Sequence, residues 1–310
     1  MPCVIAVVVT YNRKELLIQC LDALLGQSVL VSRILVFNNN STDGTEKLFE
    51  PGSKYHNEMI EVINSEKNLG GAGGFSKGMQ LASEQECDWI WCMDDDTIPE
   101  KTALEELLNS IKFILEQEKR ISFLSSYVYG PNEEPMNVPK LRMDKCENGY
   151  SFWYKYLDKG LVPVSQATFV SILISKRAMI EVGYPIADYF IWGDDTEYTR
   201  RLIKKYGPAY LCGTSKVLHK RFNSKIISIL TEDNKDRVSL YKYYFRNALA
   251  NAKKFDGLLW MIIRWGFYFV QSFYCLINPK IKFGFMKFRA IQNGIWMYIF
   301  KPIRKDKQHG

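Results

Sequence analysis

Residues 3–9, CVIAVVV, carry no polar side chain and are rich in β-branched residues. Such a run needs cover on both faces, which is the condition of an inner strand in a parallel sheet. Short apolar runs recur at 33–37 (RILVF), 60–63, 89–93 (WIWCM), 121–126, 168–174 and 209–218. Between the first two the spacing turns helical, with Leu16, Leu17, Cys20, Leu21, Leu24 and Leu25 on one face of residues 13–26. Ser41 or Asp43 is expected to cap the helix after the second run. Asn68 to Gly74 reads as a glycine-rich loop leading into a helix to about Ala82. Pro99 is expected at the start of a helix ending near Gln117, residues 130–166 as long loops, and a helix after the polar turn Asp188 to Thr196. Strand and helix in alternation predict an α/β fold, a mostly parallel central sheet flanked by helices, with ligands at the carboxyl ends of its strands.

The character changes towards the C-terminus. From Lys253 to Gly310 eleven Lys and Arg face two acids, Asp256 and Asp306, a net +9 in a chain of +7 that leaves residues 1–252 at −2. Helices are expected over 236–255, 258–277 and 281–300. The last two interleave aromatic and aliphatic residues with Lys280, Lys282, Lys287, Arg289, Lys301, Arg304 and Lys305. A basic, greasy segment suits an anionic membrane surface. Residues 258–277 are long enough to span a bilayer, for which about 20 residues suffice, but Arg264 inside the run favours lying on it. A helical pair that packs or builds a homo-oligomer is the alternative. Nucleic acid is not expected as a partner, because no recognition motif accompanies the charge. Seven cysteines without a C-x-x-C pair predict reduced thiols. The start Met1-Pro2-Cys3-Val4 shows no signal peptide, so the catalytic part is expected in the cytoplasm, at the inner face of the membrane.

Three clusters carry chemistry. Asp94-Asp95-Asp96 ends an apolar strand. Adjacent carboxylates repel unless a cation offsets them, and hard oxygen ligands suit Mg2+ or Mn2+ bridging to phosphates. A solvated acidic turn is the plain alternative. Asp194, Asp195 and Glu197 open a helix, where the dipole favours acids. Their approach, Phe190-Ile191-Trp192-Gly193, can also hold one carboxylate as a general base. His219, one of three histidines, can complete the first site or serve the core. The segment NLGGAGGF allows close backbone approach to a ligand, with N–H groups for a phosphate or a sugar hydroxyl.

Taken together, VVVTYNRKELL, NNNSTDGT, NLGGAGGFSKG, WIWCMDDDTIP and GDDTEYTRRL resemble the family 2 inverting glycosyltransferases of GT-A fold, over about residues 3–222. The resemblance implies a nucleotide-sugar donor, a UDP-sugar above all. Thr10, Tyr11 and Asn38 match positions that hold its base and ribose, within a donor site that also takes in Asn12, Arg13, Asn68, Gly70, Gly71, Asp94 and Asp95. It implies Mn2+ or Mg2+ on Asp96, with Asp94 and His219. It implies Asp195 as the base, supported by Asp194 and Glu197, and a glycan or lipid-linked acceptor. GGAGGF, DDD and D-D-x-E with a distant His219 resemble galactofuranosyltransferases of the bacterial cell envelope, which implies UDP-galactofuranose. The chain departs from the family pattern at Asn38, where an acid is usual, and at 166–171, which lacks a tryptophan pair. Rhamnosyltransferases or other hexosyltransferases of surface polysaccharides share the layout, and a nucleotidyltransferase is the non-glycosyl alternative. The expected organisation is a catalytic domain over 1–222, its nucleotide-binding half about 1–128 and its acceptor half about 160–222, then a helical extension over 223–310.

Overall fold

The first apolar run becomes β1 (Val4–Thr10), with every residue buried. It is followed by α1 (Lys14–Leu25), β2 (Arg33–Asn38), β3 (Ile60–Asn64), α2 (Gly70–Glu84), β4 (Trp89–Asp94), β5 (Thr97–Pro99), α3 (Ala103–Gln117) and β6 (Phe123–Tyr129). Then come β7 (Lys140–Leu141), β8 (Leu161–Gln166), β9 (Ile172–Ser175), α4 (Lys176–Val182), α5 (Asp194–Lys205), β10 (Ala209–His219), α6 (Lys235–Asn251), α7 (Leu258–Ile277) and α8 (Gly284–Phe300). The computed structural model describes residues 2–221 and 227–304. These fall into two compact units: 2–70, 74–185 and 198–221 form the first, and 71–73, 186–197 and 227–304 the second. The expected boundary at 222/223 and Lys305 lie outside the described residues.

The first unit holds one ten-stranded sheet, ordered β3-β2-β1-β4-β9-β6-β10-β8-β7, with β5 paired to β10. The α/β fold is as expected, but the sheet is mixed rather than mostly parallel. β3, β2, β1 and β4 run parallel. β9, wholly buried, then enters antiparallel between β4 and β6. Alternation along β1 explains the two layers. Val4, Ala6 and Val8 face the core under α1 and α3, which supply Leu17, Leu21, Leu104 and Ile111. Ile5, Val7 and Val9 face the other, filled from α2, α4 and α5 by Phe75, Met79, Met179, Tyr198 and Leu202. Each such fully buried side chain contributes about 1.5–3 kcal/mol.

Three local expectations change. Pro99 lies in β5, opposite Val217 of β10, where a missing N–H is tolerated, and α3 starts only at Ala103. The glycine-rich segment is the first turns of α2 rather than a loop. A Cβ at Gly74 or Gly78 would lie 2.6 Å or 2.7 Å from a methyl of Val9 or Val7, so these two glycines let the helix pack closely on β1. Residues 130–166 contain β7 and β8 and are not loop throughout. After β2, Asp43 accepts from Thr45 N–H (3.1 Å) at a short 3-10 turn and also from Lys14 N–H (2.9 Å) at the start of α1.

The core of the second unit is built by Val238, Tyr241, Phe245 and Leu249 of α6, Tyr268 and Cys275 of α7, and Ile291 and Ile295 of α8. Asn234 caps α6 by accepting from Asp236 and Arg237 N–H. Lys287, read from the sequence as a surface cation, is buried and donates to Leu230 O at 3.1 Å. Among the described residues no helix is long and apolar enough to cross a membrane.

Candidate active site and metal centre

β4 runs parallel to β1 and delivers Asp94 opposite Val9. The chain then turns through Asp95 and Asp96 into β5, whose Thr97 is the register partner of His219. Lys220 N–H donates to Asp96 O (2.8 Å), closing the same edge. This pairing carries His219 to the acidic turn, with Nε2 3.0 Å from Asp96 Oδ1. Asp94, Asp96 and His219 each offer one ligand atom, all within 4.8 Å of one another. Carboxylate oxygens and an imidazole nitrogen are a donor set for Mn2+ or Mg2+, so these residues fit the cation the family resemblance implies. His219 Nδ1 lies 2.9 Å from Asn137 Oδ1. With Nδ1–H donating there, the Nε2 lone pair is left for a cation, the tautomer that a metal-bound imidazole needs. Asn137 sits at positive φ in a stretch read as loop, and no sequence signal singled it out.

Arg13 Nη1 bridges Asp95 Oδ1 (3.2 Å) and Asp96 Oδ2 (2.7 Å). Burial pushes the Asp96 carboxyl up, but in the cation-free site the hydrogen bond from His219 Nε2–H, with Arg13, outweighs it and holds Asp96 below the usual range; a cation on Nε2 takes the place of that proton. Asp95 is pushed up to about 7, by burial first, with Arg13 and Thr10 opposing and the neighbouring acids adding. Asp95 accepts from Thr10 Oγ1 (2.8 Å) and Tyr11 N–H (3.3 Å). It thus ties the end of β1 to the acidic turn and lies outside the metal-ligating cluster.

The remaining donor-site candidates form a network around the ends of β1 and β2. Asn12 N–H donates to Ser41 Oγ (3.0 Å), and Asn12 Oδ1 accepts from Thr42 N–H (2.7 Å). Asn38 is buried, donates to Asn64 Oδ1 (2.8 Å) and accepts from Ser41 N–H (3.1 Å). The Tyr11 side chain is exposed. Asn39, which the sequence reading passed over, is also buried. It donates to Asn68 Oδ1 (3.1 Å) and Gly70 O (3.0 Å) and accepts from Leu69 N–H (2.8 Å). Gly70 N–H donates to Asn68 Oδ1 (2.8 Å). The N–H groups of Leu69 and Gly70, expected as ligand donors, are therefore engaged within the protein.

In the second unit Ala72 N–H donates to Phe190 O (3.1 Å), a further donor of that segment already used. At Gly71 a Cβ would meet nothing within 4 Å.

The late acidic motif is set by α6. Phe190 has φ 64° and ψ −62°, and Ile191 N–H donates to Tyr189 O at 2.7 Å, a γ-turn of the strained hand. Trp192 also has positive φ, and so does Gly193. Asn247 Nδ2 donates to the carbonyls of Tyr189 (2.9 Å), Ile191 (3.0 Å) and Trp192 (2.7 Å). Asn251 donates to Gly193 O (2.8 Å) and accepts from Tyr189 OH (2.7 Å). Arg246 donates to Asn247 Oδ1 (3.0 Å) and to Asp188 O. Backbone strain persists where surroundings over-determine it, and this buried amide scaffold does so just before Asp194 and Asp195. Asp194 is buried, Glu197 is fully buried, and Lys254 Nζ donates to Glu197 Oε1. Asp195 Oδ1 accepts from Thr196 N–H at 2.6 Å. Burial pushes the Asp195 carboxyl above its usual range against its backbone hydrogen bonds.

Comparison with known proteins follows the same lines. The chain is 28% identical over 292 residues to galactofuranosyltransferase GlfT1 of Mycolicibacterium smegmatis, covering 87% of this chain and 90% of that one. It is 30% identical over 219 residues to galactofuranosyltransferase GlfT1 of Mycobacterium tuberculosis, covering 70% and 69%. The crystal structure of GalNAc-T7 with UDP, GalNAc and Mn2+ shares the fold at a TM-score of 0.57 and 16% identity, over 80% of this chain. The chain spans 50% of the length of that solved protein. Residues 5–183 match glycosyl transferase family 2. With the GT-A arrangement and the Asp-Asp-His cluster, this makes the chain a member of glycosyl transferase family 2.

Proposed function

We propose that this chain is an inverting glycosyltransferase that moves galactofuranose from UDP-galactofuranose to a hydroxyl of a cell-envelope glycan or its lipid-linked precursor. The supporting observation is the convergence of Asp94, Asp96 and His219 in a chain related along most of its length to galactofuranosyltransferases. In this reading residues 1–222 are the catalytic domain and 223–310 an extension. Thr10, Arg13 and Asp95 keep the acidic turn in place, and Tyr11, Asn12, Asn38, Asn68, Gly70 and Gly71 shape the donor site. A divalent cation held by Asp94, Asp96 and His219 supplies positive charge for a departing diphosphate. Asp195 takes the proton of the acceptor hydroxyl as that oxygen bonds to the anomeric carbon. The bond from that carbon to the diphosphate oxygen breaks, UDP leaves with the electron pair, and configuration inverts. The raised basicity of Asp195 suits this role. Asp194 and Glu197 support it, with Glu197 matched by Lys254.

Competition binding of UDP-galactofuranose and dTDP-rhamnose, with product analysis, tests the reading. Preference for UDP-galactofuranose and a glycosylated acceptor are expected. Selection of the rhamnose donor overturns the sugar assignment, and a nucleotidylated product overturns the reaction.

A further inference from the structure

α7 meets the rest of its unit along one narrow stripe, where Tyr268, Ser272 and Cys275 are the buried residues. Around most of the remaining circumference Leu259, Trp260, Ile263, Phe267, Val270 and Ile277 are 51–77% exposed. A helix facing water on that side carries charges there, yet the only charge in α7 is Arg264. Phe285, Trp296 and Phe300 of α8 are exposed as well, at 50–65%. Apolar exposure on this scale marks a docking surface.

Charge identifies the occupant. Residues 258–300 contain no Asp or Glu. Arg264, Lys280 and Arg289 are exposed within that stretch, Lys282 is exposed but paired with Asp233 (3.2 Å), and Lys301 and Arg304 follow it. A second copy docked on itself through this surface would set cations against cations, because an isologous contact uses the same patch twice. An anionic lipid surface supplies the opposite charge at headgroup depth and takes apolar side chains into the acyl boundary. The sequence pattern pointed to such a surface, and the structure narrows it. Lys287 and Ile295 are buried and take no part, while the exposed circumference of α7 becomes the principal contact.

We propose that the α7 face from Leu259 to Ile277 lies in the plane of an anionic membrane surface, flanked by Lys280, Arg289, Lys301 and Arg304. This rests on surface chemistry alone and does not depend on which sugar is transferred.

The test is flotation of the full chain with vesicles of phosphatidylcholine alone and of phosphatidylcholine mixed with phosphatidylglycerol. The mixed vesicles are expected to carry the protein and to release it in alkaline carbonate, and pure phosphatidylcholine to bind at least about tenfold more weakly. Ile263→Glu with Phe267→Glu, both at exposed positions, should abolish flotation at an unchanged melting temperature. Lys280→Ser with Arg289→Ser should weaken binding about tenfold or more. The proposal is overturned if the chain stays soluble with both vesicles, if the Glu pair floats like the wild type, or if carbonate fails to release the chain. A dimer in ultracentrifugation that the Glu pair converts to monomer also overturns it, since a second copy then covers the face.

Discussion

His219 Nε2 lies 3.0 Å from Asp96 Oδ1 across 123 residues of sequence, and the three-residue strand β5 is what brings them together. Because Thr97 is in register with His219, the metal cluster is a consequence of strand pairing. His219→Ala should therefore leave the fold intact and lower affinity for Mn2+ by more than about tenfold, as read by calorimetric titration. Unchanged affinity would remove His219 from the ligand set.

Arg13 bridges Asp95 and Asp96 and offsets part of their charge when no cation is bound. Arg13→Ala should lower the melting temperature of the metal-free protein by a few degrees, about 2–4 °C per kcal/mol for a chain of this size class. Added Mn2+ should then raise it by more than in the wild type, since binding to the folded state alone stabilises by mass action. Equal metal-induced shifts in the two proteins would count against this.

In the proposed mechanism Asp195 joins activity to stability. Its folded carboxyl titrates above the ordinary value because of burial. Between the unfolded and the raised folded value the native state binds more protons, so stability falls as pH rises through that window. Above it the penalty of a partly buried charge remains. Asp195→Asn should therefore raise the melting temperature at neutral pH while lowering turnover about 10²–10⁴-fold. Wild-type turnover should fall as pH drops through the raised value, where the proposed base takes up its proton. Thermal melts and pH–rate profiles check both halves, and a variant of lower stability with full turnover contradicts both.

Asn247 holds three carbonyls of the strained approach to Asp194 with a single amide. Asn247→Asp keeps the shape and loses the donor. It should cost about 1–3 kcal/mol for buried groups left unsatisfied and lower kcat at least tenfold while leaving the donor KM within a few-fold. A donor KM that moves with kcat would show a general loss of structure.

The strands and the two acidic motifs were legible because each rests on neighbouring residues. β1 is an unbroken apolar run, and Asp94 to Asp96 stand at the end of another. The partners that complete the sites were not, because they depend on pairing across distance. Asn39 holds Asn68 and Gly70 from the end of β2. Asn247, Asn251 and Lys254 are polar residues four and three apart along α6 and the π-helical turn after it, Ala252–Asp256. That spacing on an aromatic helix was the available signal. Gly74 reads as ligand-facing in sequence but, with Gly78, serves packing against Val9 and Val7. The antiparallel entry of β9 between β4 and β6 had no local mark, since apolar runs look alike in either direction.

The most direct test of the central claim is transfer by the purified full chain from UDP-galactofuranose to a hydroxyl acceptor, with and without Mn2+, followed by NMR of the product's anomeric centre. UDP release should stop in chelator and return with Mn2+ or Mg2+, the transferred sugar should have inverted configuration, and Asp96→Ala should lose turnover. Full transfer in chelator, or a product of retained configuration, would contradict it.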